Sequence, residues 1–409
     1  MARVLVAPHH FEIGGSQLVA LELAAEVARE GEHEVVLYAP HGALEKRARA
    51  TGLELHLSPL RESAPSPGRI RELADLVRRR GIDLVHTYEW APTVDAAYGA
   101  RGLRGTPVIA TVQSMDYPGF LPAAVPLILG TRELCERARA EGRPEVHLLE
   151  PHVDLHRFDP DAVPRAEIAE VRRDAGAAPD ELLVVVVGRL SEELKLDGLL
   201  ALVEACGRLA AVHPLRLALV GDGPARDRVA EAARLANAKA GREVVRLLGQ
   251  RDDPRACYAA AEVVVGMGGS ALRAMAMRRP LLVQGERGFW RIADARSLPV
   301  FLAQGWYGQG TGEGSVERCI VELDALLRLP ASTRSALGAW GRDVVAARYG
   351  LAHAASELAR RYRETLDAPR PTRGQRLAGS FGLARDIAAH RMAMRHPALQ
   401  TSFRRLSGR

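Results

Sequence analysis

The chain has 409 residues, of which 47% are apolar and 26% are charged. A chain of this length exceeds what one hydrophobic core usually covers, so two domains are expected. The composition is that of a globular protein and excludes a disordered or fibrous chain. No apolar run reaches the roughly 18 residues of a membrane span, and the opening MARVLVAPHH has the pattern of a first strand, so neither a membrane crossing nor a cleavable signal is expected.

Positive charge is concentrated at the C-terminal end of the chain. The whole chain carries a formal net charge of +6, and residues 369–409 contain nine arginines and one acidic residue, a local charge of +8. Residues 1–368 therefore carry a charge of −2. The body of the chain is not expected to bind nucleic acid.

The four cysteines lie far apart and form no CxxC pair: Cys135, Cys206, Cys257 and Cys319. This spacing is typical of buried free thiols in a reducing compartment and does not indicate a zinc site. We therefore expect a cytoplasmic protein without a metal centre.

From Val4 onward, short apolar strands alternate with helical stretches, which predicts an α/β protein with parallel sheets covered by helices. In the first half, strands are predicted at 4–7, 34–38, 53–57, 82–87, 107–112, 125–129 and 146–150. The helices predicted between them are 16–29, 43–51, 69–80, 91–101 and 131–141.

A second cycle of the same kind follows a connector, 151–179, that contains four prolines. Its predicted strands are 182–187, 215–220, 244–248, 263–265, 281–283 and 298–302, and its closing helices are 313–329, 333–347 and 352–366. The predicted domains are 1–165, 166–350, a closing helix at 351–368 that can pack back on the first domain, and a basic extension at 369–409. Open α/β sheets bind ligands at the carboxyl ends of their strands, so the site is expected in a cleft between the two domains.

The segment 262–286 carries the strongest local signal for a ligand site. Three glycines within 266–269 separate a strand from a helical stretch that Ser270 can cap. A helix N-terminus after a glycine loop presents unpaired N–H groups and partial positive charge, which suits a phosphate. The alternative is a tight strand-to-helix turn without a ligand.

Other predicted loops have a similar position. Gly14 and Gly15 open the first helix and Gly221 follows the strand at 215–220; each can bind an anion through backbone N–H groups or serve only as a turn. Arg189 directly follows a valine strand and Lys195 comes six residues later, so both side chains can neutralise a leaving diphosphate. For Lys195, a solvated position is the alternative.

Seven strings between Val4 and Leu366 resemble, in order and spacing, the retaining GT-B glycosyltransferases of family 4. They are GGSQ (14–17), DLVHTYEW (83–90), EPHVDLHRFDP (150–160), VVVVGRLSEELKLDGL (184–199), LALVGDGPARDRV (217–229), LLGQRDDPRACYAAAEVVV (247–265) and GMGGSALRAMAMRRPLLV (266–283). The resemblance implies a GT-B fold, in which two Rossmann-like doubly wound domains face each other across a cleft. It also implies that the first domain binds the acceptor, that the second binds a nucleotide-diphosphate sugar, and that transfer retains the anomeric configuration without a metal or other cofactor.

The same resemblance assigns roles to individual residues. Arg189 and Lys195 would hold the donor diphosphate together with the amides of the glycine loop, although one extra residue separates the two cations compared with the family. The predicted donor-binding residues are Gly14, Gly15, Gly221, Leu248, Met267, Gly268, Gly269, Ser270 and Arg273.

The chain departs from the family at two acidic positions. Where the family carries a glutamate, seven residues and a second glutamate, this chain has Val265 and Arg273. An arginine cannot accept hydrogen bonds from a ribose, but it can grip a phosphate or a carboxylate. Arg273 is therefore expected to contact the donor's phosphates or an acidic group on donor or acceptor; the alternative is an ion pair with an acid such as Glu286 that only holds the helix.

A further departure concerns the acceptor side. The family often has a histidine after the fifth strand, where this chain has Gln113, whose amide can bind a sugar hydroxyl but cannot move a proton at neutral pH. His86 is the nearest candidate for a base, with a packed core histidine as the alternative. Gln113 and His86 thus join Arg189 and Lys195 as predicted catalytic residues, and His10, Glu89 and Asp116 are the predicted acceptor-binding residues.

The basic tail lies outside the resemblance. Apolar residues recur in it at helical spacing and arginines flank them: Leu377, Phe381, Ala384, Ala388 and Met392. Such a helix can lie on an anionic membrane, pack across the first domain, bind a protein partner, or remain a solvated extension.

These patterns predict a glycosyltransferase whose partners are a nucleotide-sugar donor and an acceptor that the sequence does not identify, with no nucleic acid. Two other classes stay open. Loss of both motif glutamates also fits a non-catalytic GT-B scaffold, and Arg273 also suits a transferase that uses a different phosphorylated donor.

Overall fold

The computed structural model describes residues 1–60, 63–114 and 116–395 and divides into two compact units. The first unit comprises Met1–Glu150 and Leu351–Arg409, and the second comprises Pro151–Gly350. The predicted boundary between 165 and 166 falls later than this division. The reason is that Val153, Phe158 and Val163 pack into the core of the second unit, so the whole proline-rich connector belongs to that unit.

The first unit begins with strands and helices in alternation. Its strands are β1 (Ala2–Ala7), β2 (His33–Pro40), β3 (Glu54–Ser58), β4 (Leu84–Tyr88), β5 (Val108–Val112), β6 (Leu127–Leu129) and β7 (Val146–Leu148). Its helices are α1 (Gly15–Glu30), α2 (Glu45–Ala50), α3 (Pro67–Arg80), α4 (Trp90–Ala96) and α5 (Arg132–Ala140), and α4 continues as a π-helix over Ala97–Arg104.

These seven strands form one parallel sheet in the order β3-β2-β1-β4-β5-β6-β7. Every residue of β4 and β5 is buried, including the polar His86, Thr87 and Thr111, because helices cover both faces of the sheet. The strand order reverses between β1 and β4. Ligands of open α/β sheets bind beside such a reversal, at the carboxyl ends of the strands.

The second unit repeats the pattern. Its helices are α6 (Arg165–Asp174), α7 (Leu196–Leu209), α8 (Arg226–Ala240), α9 (Arg255–Ala260), α10 (Gly269–Ala276), α11 (Leu298–Gln304), α12 (Ser315–Arg328) and α13 (Ala331–Arg348). Its strands are β8 (Leu182–Val187), β9 (Leu215–Val220), β10 (Val245–Gly249), β11 (Val263–Gly266), β12 (Leu281–Gln284) and β13 (Trp290–Ile292), in the order β10-β9-β8-β11-β12-β13.

The prediction was wrong at one edge of this sheet. The predicted strand 298–302 is helix α11, in which Pro299 occupies the first turn, where a proline costs no hydrogen bond. A short apolar run fits either a strand or a buried helix, so periodicity alone did not separate them. The edge strand is instead β13, which runs antiparallel to β12 and was not predicted.

Two C-terminal helices complete the first unit. Helix α14 (Leu351–Asp367) packs against α1 and buries Leu358 and Tyr362 in the core beneath β1 and β4. Helix α15 (Arg373–Arg395) packs through Leu383 and Ile387 against the start of α4 and the segment after β5. Of the arrangements that the sequence left open for the tail, its described part, up to residue 395, packs on the first unit. Residues 396–409 lie outside the described residues.

The predicted apolar stripe lies on the opposite side of α15. Leu377, Phe381 and Met392 are exposed, with Phe381 at 75%. No helix in the described part of the chain combines the length and the apolar character that a bilayer crossing requires.

All four cysteines are buried and free. Burial raises the pKa of Cys135 and of Cys257 to about 11, so both thiols are protonated at neutral pH. These thiols therefore act as small apolar core residues.

Candidate functional site

The loops after β8 and β11 lie side by side where the order of the second sheet reverses, and they line a small pocket. Its lining residues are Val186, Val187, Gly188, Arg189, Leu190, Lys195, Leu199, Gly266, Met267, Ser270 and Gln284. The two loops meet because β8 pairs with β11 in parallel, with Val186 opposite Val265. The pocket thus occupies the position in which doubly wound sheets bind nucleotides.

Two cations in this pocket have no acidic partner in the part of the chain that the structure describes. Within the described residues, neither Arg189 nor Lys195 makes an ion pair. Burial, and then the charge of Arg189, lower the pKa of Lys195. Neighbouring positive charges of this kind repel each other, and a bound anion would relieve that repulsion.

The extra residue between the two cations does not remove Lys195 from the pocket. Leu194 adopts a left-handed φ of 65°, and the amide of Lys195 donates a hydrogen bond to the carbonyl of Glu193 at 2.8 Å. This tight turn absorbs the added length directly before α7. The Nζ atom of Lys195 lies 3.1 Å from the place that a Cβ atom on Gly188 would take, so a side chain at Gly188 would displace it.

The glycine loop before α10 is open on one side and hydrogen-bonded on the other. Gly268, with a φ of 54°, is the residue preceding the helix, and a Cβ atom built there would meet nothing within 4 Å. Ser270 is not the cap that the sequence predicted: it lies in the first turn, where its Oγ accepts from the amide of Met267 at 3.2 Å and donates to the carbonyl of Met267 at 3.0 Å.

Only one of the three amides predicted to hold phosphate is available. The amide of Gly268 donates to the carbonyl of Trp306 at 2.8 Å and that of Ser270 donates to Met267 at 3.2 Å. Within the described residues, the amide of Gly269 makes no hydrogen bond. The loop therefore offers one free amide donor, and the charge of a bound anion would be met mainly by Arg189 and Lys195.

Position 221 requires a glycine because of a close backbone contact, and not because of phosphate binding. Its φ is 149°, and a Cβ atom there would lie 2.0 Å from the carbonyl oxygen of Gly188. Its amide donates to the carbonyl of Gly249 at 2.8 Å, so that amide is not available to a ligand. Gly221 therefore serves as a turn residue, which was the alternative to anion binding. Leu248, predicted to bind the donor, is half-buried on β10 and does not line the pocket.

Arg273 lies on α10 beside the glycine loop. Its guanidinium carbon is 5.5 Å from the ring centre of Phe158, and its Nη1 atom is 3.5 Å from the place of a Cβ on Gly269. The alternative pair with Glu286 is not formed; Glu286 instead accepts from the hydroxyl of Tyr307. Arg273 makes no ion pair with a described residue, so its charge is available to a ligand.

Among the pocket residues that the sequence analysis did not predict, Gln284 has the one polar side chain. Gln284 ends β12 and is only 3% exposed, and its Nε2 atom donates to the carbonyl of Lys195 at 3.0 Å. A Cβ on Gly198 would lie 2.3 Å from the same Nε2 atom, so the glycine in α7 makes room for this amide. The sequence feature that could have indicated Gln284 is a polar residue at the end of the otherwise apolar strand LLVQ, which pairs with the strand before the glycine loop.

No group of three or more His, Cys, Asp or Glu side chains that could hold a metal ion occurs among residues 1–60, 63–114 and 116–395. The polar side chains that line the pocket are those of Arg189, Lys195, Ser270 and Gln284, so its lining contains no carboxylate, imidazole or thiolate.

The predicted residues at the start of the first unit lie around the N-terminus of α1. His10 accepts through Nδ1 from the amide of Glu12 at 3.2 Å and lies beside His9, with ring centres 4.8 Å apart. Gly14 precedes α1, and a Cβ there would lie 2.3 Å from Oε1 of Gln17. At Gly15 a Cβ atom would meet nothing within 4 Å, so this face of the helix N-terminus is open.

The prediction of His86 as a base was wrong. His86 is 0% exposed, and its two ring nitrogens lie 2.7 Å from the hydroxyls of Tyr362 and Thr111. Burial lowers the pKa of His86 to about 3. The imidazole is therefore a neutral, packed side chain that cannot reach a substrate.

Acid is expected to destabilise the first unit through His86. Its folded pKa of about 3 lies below the 6.5 of an unfolded imidazole, so the unfolded chain binds a proton that the folded chain excludes. Stability is therefore complete above pH 6.5 and declines as the pH falls toward 3, by about 2 kcal/mol at pH 5 from this group. Urea unfolding of the wild type and of His86→Asn at pH 7.5 and pH 5 measures this loss of stability. An equal loss between the two pH values in both proteins would show that His86 is not its source.

Glu89 and Gln113 shape the loop after β5. Glu89 has an unusual φ of 73°, and its carboxylate accepts from the amide of Gln113 at 3.0 Å and from the hydroxyl of Ser114 at 2.8 Å. These two hydrogen bonds anchor the loop to Glu89, and its role in binding an acceptor stays a prediction. The Nε2 atom of Gln113 is buried without a hydrogen-bond partner among the described residues, so this donor is available. Asp116 is 79% exposed and pairs with Arg137.

Comparison with known proteins covers both units. Residues 13–141 match the model of Glycosyltransferase Family 4, and residues 181–295 match that of Glycosyl transferases group 1. No curated protein matches the sequence.

Solved structures resemble nearly the whole chain. A glycosyltransferase from Rickettsia africae superposes with a TM-score of 0.71 at 13% identity, over 90% of this chain and 100% of that one. HepE from Anabaena in complex with UDP-glucose gives a TM-score of 0.67 at 14% identity, over 89% and 100%. WaaG, a glycosyltransferase of lipopolysaccharide biosynthesis, gives 0.62 at 18% identity, over 87% and 99%.

The first unit carries a family 4 match, the second carries a group 1 match, and both sheets have the Rossmann-like order. The chain is therefore a glycosyltransferase of the GT-B fold, with a family 4-like N-terminal domain.

Proposed function

We propose that this chain moves a sugar from a nucleotide-diphosphate sugar to an acceptor hydroxyl, with retention of configuration and without a metal ion. The observation that carries the proposal is the pair of cations without acidic partners, Arg189 and Lys195, beside the open face of Gly268. A site with two uncompensated positive charges, in the nucleotide position of a doubly wound sheet, suits a diphosphate leaving group.

In this mechanism the protein stabilises the departing anion and supplies no nucleophile. The bond between the anomeric carbon and the diphosphate oxygen breaks, and a bond from the acceptor oxygen to the same carbon forms. The proton of the acceptor hydroxyl passes to an oxygen of the leaving diphosphate. No protein base is needed, in keeping with a buried His86 and an amide at Gln113.

Uridine nucleotides are the donors to test first. HepE, which shares the fold, has been solved with UDP and with UDP-glucose. We extend this to the present chain as part of the proposal.

Arg273 distinguishes this chain from the usual donor site. Its half-buried guanidinium lies beside Gly269 and has no ion pair among the described residues, where the family has a glutamate. In our proposal it contacts the donor phosphates or an acidic group of the donor sugar. A donor with a carboxylate or an extra phosphate would therefore bind more tightly than an uncharged hexose.

Calorimetry with UDP, UMP and uridine tests the donor site. We expect UDP to bind at least about ten-fold more tightly than UMP, since the second phosphate adds a charge-assisted contact worth about 1.5–3 kcal/mol. Uridine is the control, because it keeps the base and ribose without phosphate. A scaffold protein would show no preference for the diphosphate, and equal affinities for the three ligands would remove the proposed function.

Contact of the basic tail with a membrane or a protein stays a prediction. The exposed stripe of α15, with Phe381 at its centre and arginines beside it, is the surface that a membrane or protein contact of the tail would use. The cytoplasmic location predicted from the cysteines also stays a prediction.

A further inference from the structure

A second cavity, of about 410 Å³, lies within the first unit. One wall is formed by Trp90, at the start of α4, and by Tyr117 and Phe120 from the segment after β5. The opposite wall is formed by Ile387 and His390 of α15. Its volume falls in the range of small-molecule sites, which is roughly 300–1,000 Å³.

The aromatic side chains of this cavity hold one another in place. The rings of Trp90 and Phe120 meet edge to face, with centres 5.8 Å apart, and the ring of His390 meets Phe120 at 4.9 Å. Phe120 is 9% exposed and Ile387 is 8% exposed, whereas Trp90 is 36% exposed and presents part of its indole to the cavity. The walls are thus apolar, and their shape is fixed before a ligand arrives.

Two charged residues lie among these apolar walls. Asp116 is held by Arg137 and by the amide of Tyr117, and Arg391 donates from Nη2 to the carbonyl of Ala64 at 3.3 Å. Few polar groups therefore face a ligand. A sugar placed here would lose hydrogen bonds to water without regaining most of them, which is costly, whereas a flat apolar ring would not.

The position of the cavity connects it to the acceptor. Trp90 lies two residues after the end of β4, and Tyr117 and Phe120 lie in the segment after β5. The cavity therefore lies at the carboxyl edge of the first sheet. Helix α15, which supplies the second wall, lies outside both matched regions, 13–141 and 181–295. The wall is therefore a feature of this chain that neither family match covers.

We infer that this cavity binds the flat ring of an aromatic acceptor alcohol, and that α15 sets the acceptor specificity. The inference rests on the proposed function, because only a transferase has an acceptor. Trp90 and His390 contact the ring from the two walls, and Asp116 and Arg391 lie where polar substituents of the ring would project.

Calorimetric titration of the full chain with 2-naphthol, a flat ring with one hydroxyl, tests the inference. We expect saturable binding by the wild type, about ten-fold weaker binding by His390→Ala, and unchanged binding by Phe381→Ala. Phe381 is the matched control, because it is an exposed ring on the opposite side of the same helix. His390 is exposed as well, so its loss should leave the fold intact; Trp90→Phe is the second variant and should also weaken binding.

Separate measurements keep this inference distinct from the proposed function. UDP binding is followed in every variant, and it should stay at the wild-type value because all changes lie in the first unit. Normal UDP binding with no 2-naphthol binding would overturn the inference alone. So would an equal loss in Phe381→Ala, or transfer from UDP-glucose to methyl glucoside but not to 2-naphthol. Absence of UDP binding would instead overturn the proposed function.

Discussion

An Arg189→Ala variant is expected to bind UDP at least ten-fold more weakly and to transfer sugar about 10²–10³-fold more slowly than the wild type. Removing one preorganised group that stabilises a developing anion costs about this much in other enzymes. Arg189 has no acidic partner to leave unsatisfied among the described residues, so its loss should affect the ligand far more than the fold. Isothermal calorimetry gives the affinity and single-turnover kinetics gives the rate.

Two further variants sharpen this experiment. Arg189→Lys should lie between the wild type and alanine, because an ammonium keeps the charge but loses the bidentate geometry. Arg234→Ala is the matched control: Arg234 is an exposed arginine of α8 that pairs with Glu231 and is not a pocket residue. If Arg189→Ala retained wild-type affinity and rate, the pocket would not be the diphosphate site.

A Gly221→Ala variant is expected to destabilise the second unit by about 2–6 kcal/mol. The added Cβ would lie 2.0 Å from the carbonyl oxygen of Gly188, a backbone atom that cannot rotate away. Overpacking of this kind costs about 1–3 kcal/mol, and the φ of 149° adds backbone strain of about 1–3 kcal/mol for a residue with a side chain. The loops after β8 and β9 would have to separate, which would move Gly188 and Arg189.

Urea unfolding measures the stability, and Gly241→Ala is its control. Gly241 also has a positive φ, of 66°, but a Cβ there would meet nothing within 4 Å. Gly241→Ala should therefore lower the free energy of unfolding only by the roughly 1–2 kcal/mol that a left-handed conformation costs a residue with a side chain. UDP affinity should fall with Gly221→Ala and not with Gly241→Ala. Equal destabilisation by the two changes would show that the close contact with Gly188 has no energetic role.

Local patterns were sufficient for most of the architecture. The valine run of β8 is buried on both faces, so its apolar character alone indicated a central parallel strand, and its bounds agree with the prediction. The glycine loop before α10 and the position of Arg189 after β8 were predictable for the same reason. A strand end, a loop and a helix start are adjacent in sequence, and parallel pairing then brings two such loops together.

The roles of several side chains depended on residues distant in the sequence. His86 is buried because Tyr362 packs on it from α14, 276 residues away, and no pattern near His86 indicates that contact. Gly221 is required by Gly188 on the neighbouring loop, and the amide of Gly268 is taken by the carbonyl of Trp306. The sequence alone determined that strands and helices alternate to form two parallel sheets, and which loops carry the cations. Only the tertiary structure decided which amides, rings and carboxylates remain free for a ligand, because hydrogen-bond partners and burial are set by contacts between segments that lie far apart along the chain.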